Sequence, residues 1–373
     1  LEKHLHIVCL DVPYPVDYGG VFDLFYKIVS LHEEGIKIHL HCFEYGRGEQ
    51  AELEKYCVEV KYYPRRKGHK GVSYQLPYIV SSRANDNLLE NLLQDDYPIL
   101  LEGVHCSFPL LDKRFEKKKI ILRLHNVEYQ YYRHLSKSTR SLFRKFYYRH
   151  ESNLLKKYEA SIANKCLIVA VSPQDIELYK EKFGAKNIRH LPVFLPFEEV
   201  KAREGIGCFC LYHGNLSVAE NDKAARWLLN EVFNDLKIPL VIAGKKPSSK
   251  LNKLAYRKKH TCLVADPSPQ EMQDMISKAQ INILPSFNET GIKLKLLNAL
   301  FNGRHCVVNE PMVSGTGLEA TCHCGNNADA FKSIIVQLYN HPFAEEEMRL
   351  RKNILPAMYN NRKNAELLIQ WIW

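Results

Sequence analysis

Short apolar runs recur along the chain, separated by stretches whose apolar residues return every three or four positions. The runs read as strands at 5–11, 36–42, 58–62, 98–101, 119–124 and 166–171, with a short one at 188–191. The intervening stretches read as helices at about 20–34, 84–95, 139–164 and 173–183. Strands rich in Val, Ile and Leu on both alternating positions are the kind buried on both faces, and alternation with helices implies a parallel sheet. The pattern pauses at Pro192-Val-Phe-Leu-Pro196, followed by the charged residues Glu198, Glu199, Lys201, Arg203 and Glu204, which reads as a linker.

A second series then begins, with strands at 208–213, 238–243, 261–265, 280–284 and 305–308 and helices at about 219–233, 247–257, 268–277 and 292–302. The tail is helical by pattern at 327–341, 344–352 and 357–373, and ends in two tryptophans, Trp371 and Trp373, which favour packing over exposure. The expected fold is therefore α/β, with two doubly wound Rossmann-like domains. They span residues 1–196 and 197–356, and the 357–373 helix packs back toward the first. In such folds ligands sit beyond the carboxyl ends of the strands, here facing a cleft between the domains.

Composition narrows the class. The 373 residues are 46% hydrophobic and 25% charged, which excludes a disordered or collagen-like chain. No apolar run reaches the ~20 residues of a membrane span. The sequence moves almost directly into a strand without a signal-peptide core, so a cytoplasmic protein is expected. Most of the 11 cysteines lie within apolar runs, as reduced core thiols do. Only Cys322-His323-Cys324 is clustered, and with no second metal-type pair near it in sequence it reads as a thiol pair in a loop or core. The net charge of +10 is concentrated between Asp112 and Lys165, where 15 Lys/Arg face 5 acids. Aromatic residues are interleaved there, which suits an anionic surface contacting 113–157. In the same stretch Phe143, Tyr147, His150, Leu154, Tyr158 and Ile162 recur at helical spacing, which assigns part of this aromatic content to the core.

Candidate chemistry falls at the strand ends. The first strand leads through Asp11-Val-Pro-Tyr-Pro-Val-Asp-Tyr to Gly19-Gly20 at a helix start, where backbone amides can approach an anion; a tight turn fits equally well. Glu102-Gly-Val-His105 and Arg123-Leu-His125-Asn126-Val-Glu128 follow the fourth and fifth strands. His125 could orient a sugar hydroxyl or shuttle a proton. In the second half, Tyr212-His213-Gly214-Asn215-Leu216-Ser217 and Ala243-Gly244-Lys245-Lys246-Pro247 occupy equivalent positions. The strongest constellation is Glu289-Thr-Gly291-Ile292-Lys293-Leu-Lys295-Leu-Leu-Asn298, after a strand and into a helix. Lysines in a first helical turn oppose the macrodipole, and a bound diphosphate would reverse that penalty. The helical wheel places Lys295 and Asn298 with Gly291, and Lys293 on the other side unless the helix begins after it.

These motifs together resemble the nucleotide-sugar-dependent glycosyltransferases of the GT-B fold, in the retaining group that includes many bacterial mannosyl-, glucosyl- and galactosyltransferases. The resemblance runs along essentially the full length. It implies that the C-terminal domain binds a UDP- or GDP-sugar. Gly20, Lys245, Gly291, Ile292, Lys293 and Lys295 would lie on the diphosphate, and Gly214, Asn215 and Asn298 on the nucleotide and ribose. Asn298 stands where the family carries the last Glu of its motif, and Glu289 is one residue out of register with the first. His125 and Glu289 are the implied catalytic residues, and His105 and Glu128 the implied acceptor-binding ones. The expected partners are a nucleotide-sugar donor and a glycan or lipid-linked acceptor, in capsular or other cell-envelope polysaccharide synthesis. No cofactor and no metal is implied: there is no Asp-x-Asp at a strand end, and Asp95-Asp96 reads as surface. A sugar-nucleotide epimerase, an inverting transferase and a non-catalytic nucleotide-sugar or glycan-binding relative remain open alternatives. The chain carries no recognised nucleic-acid motif, and no nucleic-acid partner is expected.

Overall fold

The computed structural model describes residues 2–16, 19–139, 141–287 and 293–373. The chain forms two compact units, one of residues 2–196 with 359–373, the other of 197–287 with 293–358.

The first unit is built on seven strands, β1 His4–Cys9, β2 Lys37–Glu44, β3 Glu59–Pro64, β4 Ile99–Glu102, β5 Ile120–Leu124, β6 Leu167–Ala170 and β7 Ile188–His190. They lie in the order β3-β2-β1-β4-β5-β6-β7, and every pairing is parallel. Alternation along β1 explains the two cores. Leu5, Ile7 and Cys9 face Leu24, Ile28 and Leu31 of the Gly19–Glu33 helix and Ala365, Leu368 and Ile372 of the Asn361–Ile372 helix. Val8 points the other way, into a cluster with Leu101, Leu122, Leu155, Tyr158 and Ile162. The strand order reverses at β1 and β4, which makes their carboxyl ends a topological switch point.

The second unit repeats the plan with β8 Cys210–His213, β9 Leu240–Gly244, β10 Thr261–Ala265, β11 Ile281–Leu284, β12 His305–Val308 and β13 His323–Cys324. Their order is β10-β9-β8-β11-β12-β13, again parallel throughout. Doubly wound α/β is thus the fold of both units.

Four local readings change. The Cys322-His323-Cys324 stretch, read as a thiol pair in a loop or core, carries an edge strand: His323 and Cys324 pair with Val307 and Val308, and Cys322 precedes it. The stretch read as one helix from 139 is preceded by a separate helix, Glu128–Ser138, and the longer one runs Leu142–Ile162. Thr139 is extended, and the Ser141 side chain accepts the Arg144 N–H as a new cap. Phe143 does not enter the core: it is 82% exposed, Leu142 is 72% exposed, and Phe146 and Tyr147 are exposed as well. The inward positions of this helix begin at Glu151 and continue through Leu155, Tyr158 and Ile162. Asp96 is fully exposed, whereas Asp95 is only partly so, its carboxylate accepting from His6 Nε2 at 3.1 Å.

Candidate active site

In the first unit the carboxyl ends of β1, β4 and β5 converge on a buried charge network. The Gly19–Glu33 helix is apolar except for a few positions, and Asp23 and Lys27, one turn apart, both point inward with no exposure. Lys27 Nζ lies 2.9 Å from Asp23 Oδ2 and 2.8 Å from Glu102 Oε1. Arg123, facing inward from β5, grips Asp23 with two bonds, Nε to Oδ2 at 3.1 Å and Nη2 to Oδ1 at 2.9 Å. Its remaining N–H groups donate to the carbonyls of Leu191 and Pro192. Burial would raise the carboxyl of Asp23, but Arg123, Lys27 and His125 hold it well below the usual range. Glu102 is likewise held down, with Lys27 and His125 outweighing burial. Asp23, Glu102 and His125 could present one ligand atom each to a metal. Lys27 and Arg123 already neutralise the two carboxylates, so the cluster is complete as an ion network.

His125 is 7% exposed, at the edge of this network. Its Nε2 sits 2.9 Å from Glu102 Oε2 and donates there, so in the neutral form of the ring Nδ1 is the acceptor. His105, on the turn after β4, is held well below an ordinary histidine by burial and by the nearby Arg83 and His125. Its Nδ1 is buried with no hydrogen-bond partner among the described residues. Glu128 opens the Glu128–Ser138 helix, buried, and burial with the neighbouring Glu159 pushes its carboxyl up to about 8. Glu159 caps that helix, accepting the N–H groups of Glu128 and Tyr129 and the Tyr179 hydroxyl. Gly20 lies in the first turn of the helix that carries Asp23.

In the second unit Lys295 is the central feature. It lies in the first turn of the Leu294–Asn302 helix, with Nζ 3.2 Å from Asn221 Oδ1 and 5.4 Å from the centroid of the Tyr212 ring. Burial, reinforced by Lys293, pushes its ammonium down to about 8. His213, the last residue of β8, is pushed down to about 3 by burial and by Lys295, and its Nε2 has no partner among the described residues. Asn221 also donates to the Asn215 carbonyl, at 3.0 Å. The Gly214 loop lies against β9 so closely that a Cβ on Gly244 would stand 1.8 Å from the Gly214 oxygen. Lys245 follows that contact directly and is exposed.

Asn221 thus ties Lys295 to the Gly214-Asn215 loop, Lys293 lies near enough to act on the Lys295 charge, and Lys245 follows the Gly244 backbone packed on that loop. The Asn215 side chain does not reach outward: its Oδ1 accepts the Ser217 N–H and hydroxyl and shapes the loop. Asn298 lies one turn beyond Lys295 and accepts from Asn302 at 2.9 Å. Lys293 precedes the helix, at its N-cap. The implied roles of Glu289, Gly291 and Ile292 fall outside the described residues. Asp23 and Lys27 were not singled out from sequence, and Glu102 and His213 stood there only as members of strand-end motifs with no role assigned. The available signal was a pair of opposite charges at i and i+4 within an apolar helix, and polar residues ending apolar strands.

Residues 208–341 match the family model described as "Glycosyl transferases group 1". A Klebsiella pneumoniae protein described as an uncharacterized 44.6 kDa protein in the cps region is 30% identical over 329 residues, covering 83% of this chain and 84% of its own. The chain belongs to the group 1 glycosyl transferases. Among solved structures, a Staphylococcus aureus TarM mutant in complex with fondaparinux, alpha-GlcNAc-glycerol and UDP superposes with a TM-score of 0.70. The match covers 99% of each chain at 11% identity. The apo form of the lipopolysaccharide outer core galactosyltransferase WaaB matches with a TM-score of 0.64 at 14% identity, over 100% of both chains. These likenesses place this glycosyltransferase in the GT-B fold. Among the described residues, no helix is long and apolar enough to cross a membrane.

Proposed function

We propose that this glycosyltransferase moves a hexosyl group from a UDP- or GDP-sugar to a glycan or lipid-linked acceptor, with retention at the anomeric carbon, in the synthesis of a cell-surface polysaccharide. The observation that carries the reading is Lys295: a half-buried ammonium whose hydrogen bond goes to a neutral amide oxygen, with Glu220 as a nearby countercharge too weak to offset its burial. Such a charge is costly alone and favourable beside an anion. A diphosphate at the carboxyl ends of β8 and β9 supplies that anion, and Lys245 and Lys293 add to the same field. As the bond from the anomeric carbon to the diphosphate breaks, charge grows on the leaving oxygens, and fixed cations stabilise it there. Gly291 and Ile292 are assigned to the diphosphate, Glu289 to the donor sugar and Gly20 to the donor on the resemblance alone. In the first unit, His125 presents Nδ1 to a sugar hydroxyl while Glu102 holds its tautomer. His105 and a protonated Glu128 offer one acceptor and one donor for the glycan acceptor. The reading assigns no metal to the transfer step.

The UDP in the TarM complex and the cps-region setting of the Klebsiella relative support this reading. So does the exposed start of the Leu142–Ile162 helix. There Leu142, Phe143 and Phe146 stand among Arg144, Lys145 and Arg149, a combination suited to the inner face of an anionic membrane where a lipid-linked acceptor is held. The test is thermal stabilisation by UDP and GDP, followed by nucleotide release with UDP- and GDP-hexoses and NMR of the product anomeric proton. Stabilisation by one nucleotide, turnover of its sugar and an unchanged anomeric configuration are expected. Inversion would remove retention, and no nucleotide response at millimolar concentration would remove the donor assignment.

A further inference from the structure

The second unit carries another constellation, at the opposite end of its sheet from Lys295 and unused by the reading above. His305 opens β12, His323 opens β13, and Glu347 lies in the first turn of the Glu345–Met358 helix. His323 pairs with Val307, two residues beyond His305, so the two imidazoles share one face of the sheet. Their rings stand 5.7 Å apart, and both address one carboxylate oxygen: His305 Nδ1 at 3.1 Å and His323 Nε2 at 3.8 Å from Glu347 Oε2.

The protons decide what this arrangement is for. His305 is fully buried, and its Nε2 lies 3.0 Å from the His341 carbonyl oxygen, which can only accept. The Nε2 position therefore carries the hydrogen, and a neutral ring turns the bare lone pair of Nδ1 onto the carboxylate. Two such lone pairs 3.1 Å apart require a positive charge. Arg351, one turn along the same helix, does not supply it by hydrogen bonding, since its guanidinium donates to the carbonyls of Leu300, Gly303 and Arg304. Two imidazolium protons could satisfy the site, at the expense of charging a buried ring. One divalent cation satisfies all three groups at once.

We propose that His305, His323 and Glu347 form a zinc-type metal site in the C-terminal unit. Two imidazoles and a carboxylate are a borderline donor set suited to zinc, and tetrahedral bonds of about 2.0–2.1 Å place ligand atoms roughly 3.3 Å apart. The observed 3.1 and 3.8 Å bracket that spacing, and the three ligand atoms all lie within 4.8 Å of one another. The His305 N–H to carbonyl bond is the outer-shell contact that fixes the tautomer of a ligating histidine. His323 and Glu347 are each about one-third exposed, which leaves the fourth position open to solvent. The metal staples the two-residue edge strand β13 to β12 and to the helix above, a strand too short to hold itself. This site is independent of the donor assignment.

The test uses the full chain, stripped with chelator and titrated with zinc sulfate against a chromophoric chelator, with metal content read by elemental analysis. Wild type is expected to take up one zinc per chain and to gain melting temperature. His323→Ala and Glu347→Gln are each expected to weaken uptake by about tenfold or more and to abolish the gain. Both variants keep every cysteine and leave the buried His305 in place; circular dichroism checks their fold. No stoichiometric uptake by wild type overturns the proposal, as does uptake equally tight in both variants, which would assign the metal to thiols.

Discussion

At the scale of single residues, this protein holds charge partly or wholly out of water, and each case has a measurable cost. Lys295→Met removes a half-buried ammonium, so the free protein should melt no lower than wild type while its affinity for the nucleotide falls about tenfold or more. Paired thermal melts with and without nucleotide check this, and an unchanged nucleotide response would take Lys295 off the diphosphate. Lys27→Met has the opposite sign. It leaves Asp23 and Glu102 facing each other with only Arg123 and His125 to balance them, and denaturant titration should show a loss of about 3–5 kcal/mol. The buried histidines set the acid limit. His6, His41, His105 and His213 are all held below an ordinary histidine, mainly by burial, so the native state stays neutral where the unfolded chain takes up protons. Stability is therefore lost as pH falls through about 6.5, at up to about 1.4 kcal/mol per histidine per pH unit. Glu128 and Glu159, held up near 8 and 7, pull the other way, because their protonated native forms gain as pH falls toward 4.5. Glu151, raised by burial, adds to that pull, but four histidines outweigh three carboxyls, and melting temperature should drop between pH 6.5 and 5. A flat or rising profile would contradict this balance. Little of it was legible in the sequence. Lys295 was visible because it breaks a helix-dipole preference, whereas Asp23 and Lys27 look like ordinary helix charges until the sheet closes over them.

Elements were easier to read than the joints between them. The strands of both units came from runs of Val, Ile and Leu, and twelve of the thirteen among the described residues lie within a few residues of their expected bounds. The exception, β13, has two residues and no apolar run; only its partner β12 makes it a strand. The break before Ser141 was hidden because no Gly or Pro marks it. Close approach is the recurring device at the strand ends, and Gly244 shows it best. A methyl there meets the Gly214 backbone, so Gly244→Ala should cost about 1–3 kcal/mol or more, read by denaturant titration, and loosen the 214–217 loop. The exposed start of the Leu142–Ile162 helix makes its own test. Replacing Leu142, Phe143 and Phe146 with Ser should release the protein from vesicles rich in anionic lipid and leave turnover on a soluble acceptor intact. Equal vesicle binding before and after would remove this helix from the membrane.

Across the whole molecule, the chain leaves the first unit at residue 196, builds the second, and returns. The Asn361–Ile372 helix lays Ala365, Leu368 and Ile372, none of them exposed, on the Gly19–Glu33 helix. Burying a Leu or Ile contributes about 1.5–3 kcal/mol each, so deleting 361–373 should destabilise the first unit by several kcal/mol. Limited proteolysis should then cut between 2 and 196 far faster than between 208 and 341, and equal rates would show that the tail is dispensable.

That return has a consequence for biosynthesis. At ~5–20 residues per second, a ribosome that has just delivered Pro196 needs roughly 9–35 s to complete the closing segment. For that interval Leu24, Ile28 and Leu31 wait without their cover, while the second unit can already fold behind them. The nascent N-terminal half is thus the part of this enzyme most in need of a chaperone's shelter, and it is the last to mature although it is the first to be made.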